Sequence, residues 1–507
     1  MALTMPELVS RLASGDTSRL ALTADGGAGL TAGDWARRAS RIARGLVRRG
    51  IRPGDRVALL FHPASWLEYA VAAAGVYLAG GAVVGLQPGL PAAELSRRLA
   101  RCQVTGLLCG DGVSPPDCAA WTASPGELAT AAAGPPEVTA RPGALAEILH
   151  TSGSTGPAKA VAVSQANLTH GHGRARGQLF AGTAGVLAPV PAGTNAGHSA
   201  IILALTAPVT VHLTTATDPA GVAAMIGGLG PGQVILPAQL ISRLVASGLH
   251  ERHDFGAVTA FLLGSAPVRA AAVRALAAAA PRARMLIGYG STEAAPAFCH
   301  TAIGAWAGHQ DPAVYDQLAA WPLGLPAAGT EVMIADAAGN RLPPGQRGQI
   351  CLRSAAPQRR YYRDRAATAA VFRGGWTRMG DLGHQDEDGR LYFFDRAADV
   401  LAGPDGTLSS AQAEAMLAAH PAVADAAVVS GPWPGGADGV CAAVQLRSQV
   451  PAAQLRGYLA ARLGISQHRI QVRIHAALPR GDTGKAAKAA LREACGRAGG
   501  PDADGSP

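Results

Sequence analysis

Lysine is almost missing from this sequence. Of 44 basic residues in 507, only Lys159, Lys485 and Lys488 are lysines; the rest are arginines. Aromatic residues are scarce at 5%, and charged residues reach only 16%. With 48% hydrophobic residues, so little charge excludes a disordered polyelectrolyte and a coiled coil. The lack of aromatics removes the ladder on which nucleic-acid bases would stack. Gly and Pro are plentiful but follow no G-x-y period, which excludes collagen. No C-x-x-C pair occurs, and the cysteines are odd in number (Cys102, Cys109, Cys118, Cys299, Cys351, Cys441 and Cys495). That usage fits a reducing compartment and argues against a disulfide framework and a zinc site. Uninterrupted apolar runs are lacking too. Residues 69–86 are broken by Gly80-Gly81, and 196–217 contain His198, Pro208 and His212. Each is expected to be a buried helix followed by a strand, so no membrane span is expected. Glu7 stands where a signal peptide would need its apolar run. A soluble, cytoplasmic protein is the expectation.

The net charge of +9 has no basic block behind it. The densest set, Arg37, Arg38, Arg41, Arg44, Arg48 and Arg49, falls on one face of a helix whose other face carries Trp35, Ala39, Ile42 and Leu46. A solvated helix face explains it, and no nucleic-acid partner is expected. Two histidine pairs also have plain readings. His250-Glu-Arg-His253 is one residue short of a zinc signature and reads as an exposed helix end. His170 and His172 follow Asn167 in what reads as a helix and are expected to be structural or solvent-facing.

Along the chain, an amphipathic helix over 34–50 precedes a β-α-β rhythm: strand 56–61, helix 66–78, strand 82–86. Residues 115–143, rich in Pro and Gly, read as an exposed connection. Strand 145–151 leads into SGSTGPAK and a second strand. Apolar runs then alternate with Ala-rich helices to about 320, which predicts an α/β fold with largely parallel, stacked sheets. From 330 the texture is short strands and turns, a β-rich subdomain. A small α+β module follows, with helices near 411–419, 452–463 and 486–495 between strands. The expected division is a large ATP- and acid-binding domain over 1–395, a small mobile lid over 396–495, and a disordered tail over 496–507.

Two of the three lysines sit beside Thr-Gly turns, in TSGSTGPAK (151–159) and PRGDTGK (479–485). An ammonium is a compact point charge, whereas a guanidinium is a wide planar fork, so a site threading one charge between phosphate oxygens can reject arginine on shape. Lys488 is read as a survivor of chance. In the first segment Gly153 and Gly156 let the backbone turn its N–H groups inward, Ser152, Ser154 and Thr155 offer hydroxyls, and Lys159 adds charge. This is a nest for phosphate oxygens. It is not a Walker loop, since no GK[ST] ending or immediate helix follows.

With these segments the chain resembles the AMP-forming adenylating superfamily of acyl- and aryl-CoA ligases, standalone adenylation enzymes and luciferase-like proteins, with motifs in the expected order from 151 to 485. The resemblance implies ATP and Mg²⁺, with Thr151 through Gly156 and Lys159 on the phosphates. GSAP (Gly264, Ser265, Ala266, Pro267) and GYGSTE (288–293) resemble the segments lining the adenine and α-phosphate. By that match Tyr289 packs on adenine, Thr292 contacts the α-phosphate and Glu293 helps hold Mg²⁺, with Gly290 at the acid. Asp381 in WTRMGDLG resembles the aspartate that takes both ribose hydroxyls, a pairing that suits a carboxylate. Arg396 matches the arginine that also reaches the ribose. Lys485 resembles the catalytic lysine that bridges the carboxylate and α-phosphate.

Four departures stand out. The phosphate loop ends Ala158-Lys159-Ala160, and the hinge position of the crossover between large and small domains is Ala398. Pro404 stiffens the loop that normally carries a Gly pair. In PAGTNAGHS (191–199) Thr194 replaces a histidine, and Asn195 falls where aryl-acid-activating members have an asparagine that contacts the substrate. That segment holds no aspartate for an amino group, which disfavours amino acids. The reading is an AMP-forming ligase that adenylates a small carboxylic acid, an aromatic one being the candidate that Asn195 suggests, and passes it to a thiol, with CoA as the expected acceptor. The alternatives are loading of a carrier protein, transfer to a non-thiol nucleophile, and a nucleotide-binding module without turnover.

Overall fold

The computed structural model describes residues 3–497 apart from 26, 119, 131–133, 152–157, 173–182, 215–217, 304–321, 404–405, 433–437 and 481–485. Two large sheets dominate the described residues. One has seven strands, in the order Arg360–Tyr361, Ala160–Ser164, Leu145–His150, Ala82–Gly85, Arg56–Leu60, Gly106–Cys109 and Trp121–Ala123. It is parallel from Leu145–His150 to Trp121–Ala123, and antiparallel where Ala160–Ser164 folds back and Arg360–Tyr361 adds to the edge. The other has nine strands, with Arg284–Tyr289, Ala260–Gly264, Gln233–Pro237, Val186–Ala188, Val211–Leu213 and Leu20–Ala24 running parallel across its middle.

One apolar cluster joins the two sheets. It contains Val57, Val83, Leu149 and Val161 from the first, and Leu22, Val186, Val211 and Leu213 from the second. Helices Met5–Ser14, Ala32–Arg48, Trp66–Leu78 and Asn195–Thr206 supply the filling between them. Trp66–Leu78 is buried at every residue except Glu68, as its nearly continuous apolar sequence requires. Ala32–Arg48 starts on a Thr31 cap that accepts from the Asp34 N–H. Trp35, Ala39, Ile42 and Leu46 point inward while Arg37, Arg38, Arg41 and Arg48 face water, the division its sequence pattern predicts. The two stretches tested as membrane spans are a helix followed by a strand in each case. No helix among the described residues is long and apolar enough to cross a membrane.

A five-stranded antiparallel sheet, including Thr330–Ala335, Gly348–Ser354, Trp376–Gln385 and Leu391–Arg396, follows the nine-stranded one. The C-terminal part builds its own core from the sheet of Val423–Pro432, Asp438–Leu446 and Ile470–His475 with helices Ser410–Ala418 and Ala452–Leu463. A mixed α/β architecture with a separate C-terminal α+β domain is thus present as expected.

Several expectations fail in detail. Cys441 and Cys495 form a disulfide, where the cysteine usage was read as arguing against a disulfide framework. Cys441 lies on a strand and Cys495 on the last helix, 54 residues apart, so only their meeting in a second small core brings them together. That helix, Lys488–Arg497, also runs past its expected end at 495 into the stretch read as tail. Residues 115–143 are more than a connection: they hold the edge strand Trp121–Ala123 and a turn Pro125–Leu128, capped by Ser124, that packs Leu128 against the core. The helix expected to carry His170 stops at Leu168. His250 is half-buried rather than exposed.

Gly45 marks the tightest helix contact: a Cβ there would come within 2.0 Å of the Leu128 carbonyl oxygen. Gly45→Ala should therefore destabilise the protein by about 1–3 kcal/mol despite alanine's better helix propensity, because the obstructing atom is backbone. Urea unfolding followed by tryptophan fluorescence measures it.

Candidate active site

The candidate residues gather at strand ends, where open α/β sheets place their ligands. Strands Ala260–Gly264 and Arg284–Tyr289 are parallel neighbours, so GSAP and GYGSTE leave the sheet side by side. A Cβ on Gly264 would sit 2.9 Å from the Gly288 carbonyl oxygen, which reserves that position for glycine. Ser265 adopts a left-handed backbone (φ 64°), an uncommon conformation for a residue with a side chain. Pro267 and Gly290 are exposed, and Ala266, Thr292 and Glu293 are half-buried.

Asp381 and Arg396 are directly opposed across two antiparallel strands, and Arg396 Nε lies 3.0 Å from Asp381 Oδ1. The other carboxylate oxygen accepts from the Tyr289 hydroxyl at 2.7 Å. Burial, with Asp381 close by, pushes the Tyr289 phenol well above its usual range, so it stays a donor. The three residues matched to adenosine contacts therefore touch one another, although 92 residues separate Tyr289 from Asp381. Four residues beyond Tyr289, Glu293 Oε1 accepts from the Tyr361 hydroxyl at 3.0 Å. The Lys159 ammonium lies 4.8 Å from the centre of the Tyr361 ring. Tyr361 is there because its strand pairs with Ala160–Ser164, directly after Lys159. The second Glu293 oxygen has no partner among the described residues, and an acceptor-only carboxylate with a free oxygen fits a hard divalent cation.

Thr151 donates its N–H to the Lys159 carbonyl, which closes the base of the loop between Leu145–His150 and Ala160–Ser164. Ser152, Gly153, Ser154, Thr155 and Gly156 lie outside the described residues, as do Pro404 and Lys485.

Sequence reasoning missed Arg359. This buried arginine donates from Nε to Asn167 Oδ1 (2.9 Å), and from Nη1 to both Asn195 Oδ1 (2.8 Å) and the Thr292 carbonyl (2.7 Å). It joins the proposed acid residue to the proposed phosphate residue. One arginine among 41 carries no local signal. A second unread cluster lies one turn into the Asn195 helix. His198 Nδ1 is 2.6 Å from the buried Glu147 carboxylate and Nε2 is 2.6 Å from the Tyr69 hydroxyl, while Tyr77 also donates to Glu147. Burial alone would raise Glu147, but His198 and Tyr77 outweigh it and hold the carboxyl below its usual range. The pair ties the Asn195 helix to the strand that enters the phosphate loop.

The crossover holds a third network, and it corrects the reading of Lys488 as accidental. Lys488 Nζ lies 2.8 Å from Glu414 Oε1, 3.7 Å from Asp399 Oδ2 and 2.9 Å from Ser410 Oγ. Arg492 pairs with Asp399 and donates to the Ala398 carbonyl, so Ala398, the proposed hinge, is gripped through its backbone. Asp395 accepts from the Ser410 N–H and the Ser410 hydroxyl. Farther out, Asp425 pairs with Arg269, two residues after GSAP, and with Arg480, five residues before Lys485.

Burial opposes the Lys488 charge, yet Glu414 and Asp399 hold its ammonium above the usual lysine range. Burial raises Glu414, with Lys488 partly countering it. Lys488→Met should cost about 3 kcal/mol of C-terminal stability at pH 8, the scale for breaking an enclosed ion pair. The loss should shrink toward pH 5. A carboxyl whose folded pKa is raised favours the fold below its unfolded pKa, and that contribution disappears as pH rises through the folded value. Urea unfolding at the two pH values, followed by far-UV circular dichroism, checks the sign.

Comparison with known proteins adds identity to this geometry. Residues 10–362 match the family model for AMP-binding enzymes, and 412–485 match the AMP-binding enzyme C-terminal domain. A feruloyl-CoA synthase from Amycolatopsis sp is 30% identical over 435 residues, 81% of this chain and 82% of that protein. The 4-coumarate–CoA ligase-like 6 of Oryza sativa subsp. japonica is 27% identical over 76% of this chain and 68% of its own. Among solved structures, the amide bond synthetase McbA from Marinactinospora thermotolerans superposes with a TM-score of 0.79 at 26% identity, covering 96% of this chain and 99% of that one. The o-succinylbenzoate CoA synthetase of Bacillus subtilis, in complex with its acyl-adenylate intermediate, shares the fold with a TM-score of 0.82 at 22% identity, over 96% of this chain and 97% of that one. With both parts of the family model matched and the matched side chains in mutual contact, the chain belongs to the AMP-binding enzyme family and is an AMP-forming acid ligase.

Proposed function

We propose that this ligase adenylates a small aromatic carboxylic acid and then transfers the acyl group to the thiol of CoA. The observation that supports it best is the contact chain Lys159–Tyr361–Glu293, four residues on from the contact set Tyr289–Asp381–Arg396. One carries the charges that polyphosphate needs, the other the acceptors that a ribose diol needs. In this reading a substrate carboxylate oxygen bonds to the α-phosphorus of ATP as the bond to pyrophosphate breaks. Residues 151–156 and Lys159 hold the phosphates, Thr292 contacts the α-phosphate, and Asp381 and Arg396 fix the ribose. Gly264 to Pro267 and Tyr289 frame the adenine, while Asn195 and Gly290 face the acid. Glu293 would hold Mg²⁺, which when bound neutralises phosphate oxygens. Lys485 bridges the carboxylate and α-phosphate, so the chain supplies alignment and charge rather than a covalent nucleophile.

The working division is a large domain over 1–395, a lid over 396–495 and a tail over 496–507, turning about Ala398. The Asp425 carboxylate, paired with Arg269 of the large domain and Arg480 of the lid, supports a lid docked beside the GSAP segment. The relatives' substrates favour a phenylpropenoic type of acid, and the cytoplasm, which supplies ATP and CoA, is the proposed site of action. A second reading, an amine as acceptor, is favoured by the amide bond synthetase likeness together with the apolar residue at the hinge.

ATP–pyrophosphate exchange across a broad acid panel including ferulate, 4-coumarate and benzoate tests the first step. Exchange should require an acid, and Lys485→Ala should lower it by about 100-fold or more, with ATP affinity changed less than about 3-fold. Unchanged exchange in that variant would remove Lys485 from catalysis. Adding CoA, then small amines, to the acid that works separates the acceptors: a thioester supports the first reading, an amide the second.

A further inference from the structure

Among the described residues two arginines are buried, and they are treated differently. Arg98 meets the Glu94 carboxylate at 2.7 Å. Arg359, 6% exposed, has no carboxylate within ion-pair distance among the described residues. Its three hydrogen bonds all end on neutral oxygens, of Asn167, Asn195 and Thr292, and Nη2 has no hydrogen-bond partner among the described residues. Glu147 and Glu293 act on it only through space, and burial lowers its pKa to about 10, which still leaves it charged at neutral pH. A cation taken out of water without a counter-charge is costly, and a leucine or methionine would fill similar space at no electrostatic cost.

The guanidinium does what an apolar side chain cannot. Its planar fork holds oxygens from three separate elements at fixed spacings, and a single nitrogen, Nη1, is shared by Asn195 Oδ1 and the Thr292 carbonyl. The distance between the acid-contacting position and the α-phosphate position is therefore set through one atom. We propose that Arg359 is a positioning residue for adenylation, fixing Asn195 against the Thr292–Glu293 turn so that the acid's carboxylate meets the α-phosphorus in line. The inference rests on the adenylation reading above. Arg359 takes no proton in the step. The bound carboxylate and phosphate add negative charge to the through-space pull of Glu147 and Glu293, so its field favours the loaded site over the empty one.

Four variants test this: Arg359→Lys, Arg359→Ala, Asn195→Ala and the Arg359→Lys/Asn195→Ala double variant. Each is assayed by ATP–pyrophosphate exchange with the acid the wild type uses fastest, alongside calorimetric ATP affinity and melting temperature. Lysine keeps the charge but cannot span Asn167 and Asn195 together, so it should raise the acid KM and lower kcat, for a combined loss of about 10- to 100-fold. ATP affinity should stay within about 3-fold. Adding Asn195→Ala to Arg359→Lys should cost little more, because both remove one contact. Guanidinium ion, well below denaturing concentration, should restore part of the exchange lost in Arg359→Ala. Wild-type kinetics in the lysine variant, additive losses in the double variant, or acid and ATP parameters falling together with the melting temperature and without rescue would each overturn the proposal. In all three cases the wild type still exchanges. A wild type that exchanges with no acid of the broad panel would instead remove the adenylation reading, and this inference with it.

Discussion

The pairing of strand Trp376–Gln385 with Leu391–Arg396 sets Asp381 opposite Arg396, and much of the site's geometry depends on that register. A one-residue slip of Trp376–Gln385 would turn Asp381 to the other face of the sheet. Tyr289 would lose its acceptor, and the crossover that begins at Arg396 would enter the C-terminal domain from a different place. The strand that carries Arg396 also carries Asp395, which accepts from Ser410 at the start of the first helix beyond. One register therefore joins the proposed ribose site to the base of the proposed lid.

Charge is rationed in this protein, and the buried charges mark its working parts. Glu147 with His198, Arg359 with its three oxygens, Lys488 with Glu414 and Asp399, and Asp381 with Tyr289 each tie together elements far apart in sequence. Apolar packing could hold those elements together as firmly, but it is non-directional and leaves their relative placement soft by comparison with a fork of hydrogen bonds. For in-line attack on phosphorus, placement is what an enzyme supplies. The two large sheets supply bulk stability through one shared core, and the few charges set positions at its rim.

The fold was legible where composition changes along the chain. Helix Trp66–Leu78 has no polar face, and Ala32–Arg48 has a sharply divided one, so each announces its burial. The proposed site was legible wherever a motif is contiguous, as in GYGSTE or WTRMGDLG, whose Tyr289 and Asp381 the fold brings into contact. It was illegible where a function is spread over several elements. Arg359 looks like any other arginine beside Arg360, yet one is buried and its neighbour faces water. Lys488 looked accidental because its partners, Glu414 and Asp399, precede it by 74 and 89 residues. Cys441 and Cys495 looked unpaired for the same reason.

By itself, the sequence determined which segments are buried and which turns, rich in Gly, Ser and Thr and ending in a lysine, are proposed to hold phosphate. These are properties of short stretches, fixed by hydrophobic periodicity, backbone freedom and side-chain shape. Only the tertiary structure decided which distant side chains share a hydrogen bond: Tyr289 with Asp381, Tyr361 with Glu293, Arg359 with Asn195. Those contacts depend on strand order and register, which arise from the packing of the whole chain and leave no trace in any single segment.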